Sequence, residues 1–482
     1  MKKINFIIVL ILLVHLGYAQ NVKKDNTDAF NLIEVWLEAQ KDFEKLPGIT
    51  AIVVEDQQVL WKGGFGFANL EKEIKADPSS LFSICSISKL FTSIAIMQLY
   101  EEGKLRLDDR VSDILPFYDL TQKYEDSGPI TIRTLLTHSS GLPREAAYPY
   151  WTGPDFPFPT LDQIISGLEG QETLYPSSTY WQYSNLGLTL LGLIIEEVSG
   201  LTYDDYISQK ILNPLDLNNT RTELPESLYG DQLCIGYSSI KRSGERDKMN
   251  FFQANGIKAA AGFSSNVEDL AKFASWQFQL YDTSDVAILK PSTLKYMHKV
   301  HWIDPDWETT WGLGFKVKKG KDDEIEVGHG GSCPGYRSGL SIYPKDKRAY
   351  VVMINASGTN PQKYINGIMD IMSEAENPEG DDDSKENSVD FDFKDYIGYY
   401  SGQPWVSEVY VGEWQEKLVL LTLPSDDPKE SMILFKPISK DTFQRIREDK
   451  ELGETLKFER DENKQVIKFK RHGNYSTKIM EP

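Results

Sequence analysis

From Leu90 to Tyr100 the chain reads LFTSIAIMQLY, without one charged side chain. Leu90, Phe91, Ile94, Ile96, Met97 and Leu99 leave a helix over this stretch apolar nearly all round, and such a helix belongs inside a domain core. The residues that lead into it are Ser86-Ile-Ser-Lys89. Positions i and i+3 share a helix face, so Lys89 can reach the Ser86 hydroxyl. A serine hydroxyl is a weak nucleophile and needs a neighbouring base. A lysine at the mouth of a buried helix is partly desolvated, which lowers its pKa toward that of a useful base. The helix N-terminus also leaves backbone N–H groups free to face a developing oxyanion. The plain alternative is an N-cap serine with a lysine three positions on by chance. Ser238-Ser-Ile-Lys241 shows how easily the pattern arises: it lies in polar GYSSIKRSGERDK with no apolar helix behind it, and reads as a surface coincidence.

Two distant segments favour the catalytic reading. Tyr183-Ser-Asn185 stands just before a second apolar helix, LGLTLLGLIIEEV, and His329-Gly330-Gly331 follows a short strand-like run, EIEVG. The order S-x-x-K, Y-x-N, then a basic residue with two small partners resembles the penicillin-recognising serine hydrolases. The resemblance is to their class C β-lactamase-like branch, which includes D-Ala-D-Ala carboxypeptidases, D-aminopeptidases and esterases. TIRTLLTHSSGLP (131–143), ILNPLDLNNT (211–220), AAAGFSSNVEDLAKF (259–273) and GHGGSCPGYRSGLSIYPKDKRAYVVMINAS (328–357) agree with it, over roughly residues 27 to 372.

The resemblance implies a mechanism. Ser86 attacks an acyl carbonyl and is acylated. Lys89 and Tyr183 share its proton, either being the base. Asn185 holds Lys89 or the substrate amide. The backbone N–H groups of Ser86 and Ser332 form the oxyanion hole. Gly330 and Gly331 let the strand approach the substrate without a Cβ in the way. Many relatives carry Lys-Thr-Gly where this chain has His329-Gly-Gly. A histidine is largely neutral at pH 7 and glycine has no hydroxyl, so tight recognition of a free carboxylate is not expected from this stretch. Arg337, on the next strand, is the first candidate for that role.

Other chemistry is thin. His298-x-x-His301 lacks an evident third ligand, so it reads as a surface helix end and no metal is expected. His138 belongs to a turn in the family pattern, which argues against a Ser-His-Asp triad. There is no H-E-x-x-H, P-loop, G-x-G-x-x-G or G-x-S-x-G, and no cofactor is expected.

Residues 1–19 read as a signal peptide: Lys2 and Lys3, an apolar run from Ile4 to Leu16, then Gly-Tyr-Ala19. The run is short for a membrane span and no cysteine lies near the cut, so cleavage and release to the periplasm or medium are expected, without stable membrane insertion. The net charge is −20, and −22 once Lys2 and Lys3 are gone. That excludes nucleic acid and anionic membrane as favoured partners and leaves a small-molecule or peptide substrate. Only three cysteines, Cys85, Cys234 and Cys333, are present, so the fold does not rest on a disulfide framework.

Strand-like runs at both ends of a helical middle predict an α+β domain over 27–373, an antiparallel sheet flanked by helices with a separate helical lobe. The site is expected between the sheet edge and the lobe. The loop PREAAYPYWTGPDFPFPT (143–160) is either a cleft wall or a packed irregular segment. Residues 374–390, EAENPEGDDDSKENSVD, read as an acidic linker. Period-two runs from EVYVGEW to QVIKFKR then predict a small all-β domain over 391–482, with a role in the cleft, on a wall polymer or as a spacer. The function expected is an exported serine hydrolase cleaving amides or esters, with D-amino-acid peptides and small esters as candidates. The alternative is a penicillin sensor that is acylated without turnover, or a polymer-forming scaffold that keeps the fold. Oligomeric state is not legible.

Overall fold

The computed structural model describes residues 26–282, 288–320, 324–376 and 391–481. The expected signal peptide lies outside these residues, as does most of the expected linker. The helix that closes the first domain runs Pro361–Glu376, so residues 374–376 belong to it rather than to the linker.

The first domain is built on a nine-stranded sheet. Its first strands are β1 (Gly48–Glu55), β2 (Gln58–Asn69) and the short β3 (Ile74–Lys75). A separate two-stranded ribbon pairs β4 (Phe82–Ser83) with β5 (Ser264–Ser265). The sheet resumes with β6 (Trp302–Ile303), β7 (Thr310–Trp311) and β8 (Lys316–Lys319). It ends with β9 (Ile325–Cys333), β10 (Tyr336–Tyr343) and β11 (Arg348–Ile354). The order is β3-β2-β1-β11-β10-β9-β8-β7-β6, and every pairing is antiparallel. The β1–β2 hairpin turns at Asp56, whose φ of 50° suits the tight connection.

Side chains alternate across this sheet and feed two cores. Ile49, Ala51, Val53, Val352 and Ile354 pack with Trp36 and Leu37 of the N-terminal helix Thr27–Phe43, and with Ile365 and Ile368 of the closing helix. Ile52, Val54, Val351 and Met353 pack on the opposite face, where the apolar helix Ser88–Glu101 lies. That helix is buried on every side, as its uncharged sequence required: each residue from Ser88 to Leu99 is inside. Beyond it stands the lobe, whose central helix Asn185–Ser199 is capped by Ser184 at one end and by left-handed Gly200 at the other. No single helix among the described residues is long and apolar enough to cross a membrane.

The C-terminal domain is an eight-stranded antiparallel sheet from Gly398–Ser401 to Asn474–Thr477. A bridge between Tyr400 and Lys478 brings its ends together into a near-barrel. The domain is seated on the N-terminal and closing helices, where Trp414, Val419, Leu421 and Leu423 share a core with Trp36 and Tyr364. Trp36 Nε1 donates to the Ser425 carbonyl at 2.9 Å, and Lys429 pairs with Glu374 at 3.1 Å. This seat lies on the sheet face opposite the helix Ser88–Glu101, so the domain braces the back of the fold.

Candidate functional site

The candidate site forms where the helix Ser88–Glu101, β9 and the lobe meet. Ser86 sits in a single 3₁₀ turn, Cys85–Ile87, directly ahead of the long helix, and is only partly buried. Cys85 before it holds φ at 52°, a region costly for a residue with a Cβ. The turn is anchored from several sides. Ser88 Oγ donates to the Cys85 carbonyl and accepts from the Phe263 N–H, and Ser338 Oγ donates to the Ile84 carbonyl at 3.0 Å. Ser86 is thereby presented to the cleft on a fixed backbone.

Lys89 reaches back one turn, as the i,i+3 spacing predicts. Its Nζ lies 3.2 Å from Ser86 Oγ, 2.7 Å from Asn185 Oδ1 and 2.7 Å from the Ala260 carbonyl. It is 1% exposed. Burial, with help from the positive charge of Arg144, lowers it from the usual lysine range to about 7. It can therefore be a neutral amine with its lone pair beside a serine hydroxyl at neutral pH.

Tyr183 sits across the cleft, its ring centre 4.8 Å from Lys89 Nζ on one side and 4.8 Å from the Arg144 guanidinium on another. Burial pushes its phenol above the ordinary tyrosine range, and its contact with Ser86 offsets only part of that. Tyr183 thus keeps its proton at neutral pH. His138 holds φ at 57° in the turn expected for it, packs its ring against Tyr183 at 4.4 Å with the planes tilted by 34°, and accepts the Ser184 N–H on Nδ1. It positions the tyrosine and makes no triad.

His329, Gly330 and Gly331 lie inside β9 rather than after a strand. β9 is not the sheet's edge either, since three strands lie beyond it. The cleft opens there because β8 pairs with β9 only as far as Gly328, leaving His329–Cys333 paired with β10 alone. A Cβ on Gly331 would overlap the Ile84 carbonyl oxygen and Ser338 Oγ, so only glycine lets β9 lie against the turn that carries Ser86. At Gly330 the nearest atom to a Cβ would be 3.7 Å away, so that position tolerates a side chain. Ser332 follows, exposed to the cleft. His329 is buried, and burial lowers it to about 3, so it is neutral across the working range of most enzymes. Arg337 pairs with Ser332 across β9–β10, but its guanidinium donates to the carbonyls of Cys333 and Tyr336 at 3.1 and 2.8 Å.

Sequence reasoning missed Arg144 and Glu145, which follow TIRTLLTHSSGLP at the start of the aromatic loop. Asn185 Nδ2 donates to Glu145 Oε1 at 2.6 Å, and Trp151 Nε1 donates to the same oxygen at 2.9 Å. Lys89, Asn185 and Glu145 therefore form one hydrogen-bonded relay, buried at Lys89 and Asn185 and partly exposed at Glu145. The loop itself is packed: Tyr150, Phe156 and Phe158 are buried, and Phe158 stacks on Phe252. Trp181 and Trp311 were also missed, although both rings flank Tyr183. His298 and His301 do not converge on a metal. His298 ends a helix but is buried, not on the surface, with Nδ1 2.9 Å from the Tyr281 hydroxyl, and His301 Nε2 meets the Tyr296 carbonyl. No cluster of three metal-ligating side chains exists among the described residues. In the second S-x-x-K, Ser238 is half-buried and accepts the Asp247 N–H, and exposed Lys241 pairs with Asp247.

A family model described as Beta-lactamase matches residues 36–367. The chain belongs to the beta-lactamase family. Within it, the chain falls in the penicillin-recognising serine hydrolases, the branch its motifs resemble. It is 27% identical over 332 residues to Protein flp of Staphylococcus aureus (strain NCTC 8325 / PS 47), covering 68% of this chain. The match spans 63% of the length of that relative. Penicillin-binding protein 4* of Bacillus subtilis (strain 168) is 27% identical over 317 residues, covering 64% of this chain and 67% of the relative. Among solved structures, the octameric penicillin-binding protein homologue from Pyrococcus abyssi superposes with a TM-score of 0.62 at 26% identity, over 93% of this chain and 99% of that one. A D-stereospecific amidohydrolase from Streptomyces sp. shares the fold, with a TM-score of 0.58 at 23% identity over 72% of this chain and 98% of that one. This family member thus carries the family's domain and, after it, the near-barrel.

Proposed function

We propose that this beta-lactamase family member is an exported hydrolase that cleaves amides or esters through an acyl-enzyme on Ser86. The observation that carries the reading is Lys89, buried, lowered to about 7 and 3.2 Å from Ser86 Oγ. Neutral Lys89 accepts the Ser86 proton as Oγ attacks the acyl carbonyl. The N–H groups of Ser86 and Ser332 stabilise the oxyanion. Tyr183, protonated and in contact with Ser86, passes a proton to the leaving group. Water repeats the sequence in reverse order at the acyl-enzyme. Asn185 keeps Lys89 in line, with Glu145 behind it. Lys89, not Tyr183, is the base in this account, because burial moves the amine toward neutrality and the phenol away from ionisation.

The substrates we infer are small esters and D-amino-acid amides or peptides without an essential free carboxylate. Neutral His329 and the committed Arg337 support that choice. Nitrocefin, short-chain esters, D-amino-acid amides and a D-Ala-D-Ala peptide with its C-terminal amide form the test panel. We expect ester and amide turnover, with kcat/KM for the amide at least equal to that for the free acid. A preference for the free acid that disappears in Arg144→Ala would contradict this and assign the carboxylate to Arg144. The intact relay around Lys89 supports an enzyme over a non-turnover sensor, for which one acyl group per chain followed by silence would be the signature.

A further inference from the structure

Gly331 rests on the main chain of Ile84, and Ser338 fixes the same carbonyl from β10. The next residue along the turn is Cys85. Two residues along β9, on the same face as Gly331, is Cys333. The packing that sets the oxyanion strand against the nucleophile turn therefore also sets these two thiols against each other, and their side chains interact. Both lie beside the segment that follows the lobe: Cys333 Sγ is 4.0 Å from the Ala261 carbonyl, and the Ile84 N–H donates to the Phe263 carbonyl. Cys85 is 0% exposed and Cys333 3%. Cys234, the third cysteine, is equally buried but has a different neighbourhood, between Leu81 and the Tyr336 hydroxyl.

We propose that Cys85 and Cys333 are joined by a disulfide when the chain folds under oxidising conditions, tying the residue before the nucleophile to the residue after the oxyanion-hole serine. Both are thiols in this structure. The two thiols lose two protons and two electrons as the Sγ–Sγ bond forms. A small-molecule disulfide accepts them, its S–S bond breaking to give two thiols. The exchange belongs to folding. Buried thiols in apolar surroundings are poor nucleophiles, so neither oxidant nor reductant reaches the pair easily once β9 has closed on the turn. The bond would cross the cleft's floor between two segments far apart in sequence, where a cross-link restricts the unfolded chain most. It braces the spacing between Ser86 and Ser332 without touching either hydroxyl.

The test is to refold the reduced, denatured full chain in a mixture of oxidised and reduced glutathione, and in parallel in excess reductant. Both products are alkylated under denaturing, non-reducing conditions, digested and analysed by mass spectrometry. We expect the Cys85 and Cys333 peptides to be linked in the first sample, Cys234 to be alkylated in both, and Tm to be roughly 5 °C or more higher in the oxidised form. Cys333→Ala should abolish the link and the Tm difference, and Cys234→Ala should keep both. Quantitative alkylation of Cys85 and Cys333 after oxidative folding would overturn the proposal, as would a link to Cys234. The readout involves no catalysis, so a missing link leaves the acyl-enzyme reading intact, and an inactive site leaves the link intact.

Discussion

Glu145→Gln is the substitution that most sharply tests how Lys89 is tuned. Glutamine keeps an oxygen to accept from Asn185 and Trp151, so the relay's hydrogen bonds survive while its negative charge goes. The bonds on either side of Asn185 are 2.7 and 2.6 Å, and an amide spans about 2.3 Å from oxygen to nitrogen, so Lys89 and Glu145 lie at most about 7.6 Å apart. At an effective dielectric of about 20, that separation gives an attraction of about 2 kcal/mol, or roughly 1.5 pH units. The Glu145 side chain is 17% exposed, so solvent trims the effect to about one unit. Glu145 raises Lys89, and removing its charge lowers it. The wild-type enzyme should gain kcat/KM on an activated ester as pH rises through about 7, where Lys89 loses its proton. In Glu145→Gln the same limb should move to about 6, with higher relative activity below neutrality. His329, lowered to about 3, adds no second acid limb above pH 5. A limb that stays put, or moves upward, would refute the charge coupling. A wild-type limb near 10 would refute Lys89 as the titrating base.

Three further outcomes follow from the same geometry. Tyr183→Phe should lower kcat by a factor on the order of 10² to 10⁴, and its combination with Lys89→Ala should fall far short of additive, since both act on one proton; near-full activity in Tyr183→Phe would make the phenol a packing group. Gly331→Ala should abolish acylation by pushing β9 off the nucleophile turn, while Gly330→Ala should keep most of it, and equal effects at both positions in a labelling-rate assay would contradict the packing described. Trp36→Ala removes a fully buried indole that seats the near-barrel, and should destabilise the protein by about 3–5 kcal/mol in urea unfolding; a loss under about 1 kcal/mol would mean that the seat carries little stability.

The fold was legible because two signals in the chain have single structural solutions. An uncharged eleven-residue helix must be buried on all sides, and the period-two runs after residue 390 must form half-buried strands. The motif residues were legible because their chemistry is carried by side chains at fixed spacings: Ser86 and Lys89 meet through one helical turn, and Tyr183 and Asn185 flank a helix start. What escaped is contact made by main chain or across long separations. The Ala260 carbonyl that holds Lys89 has no side-chain signature, and Glu145 reaches Asn185 only because the aromatic loop folds back. The place of His329 within β9 also escaped, because Gly330 and Gly331 weaken the strand signal on the very residues the cleft needs bare. The near-barrel's short strands Gly398–Ser401, Thr442–Ile446 and Asn474–Thr477 lacked enough alternation to be read, and only pairing with longer neighbours defines them.

The proposed function stands on Ser86 as the nucleophile, activated by Lys89. Intact-mass and peptide mapping after incubation with a fluorophosphonate probe tests it most directly. We expect one adduct per chain, on Ser86, forming faster as pH rises through about 7 and absent in a folded Ser86→Ala variant. An adduct that persists in that variant, or that maps to Ser238, would contradict the account.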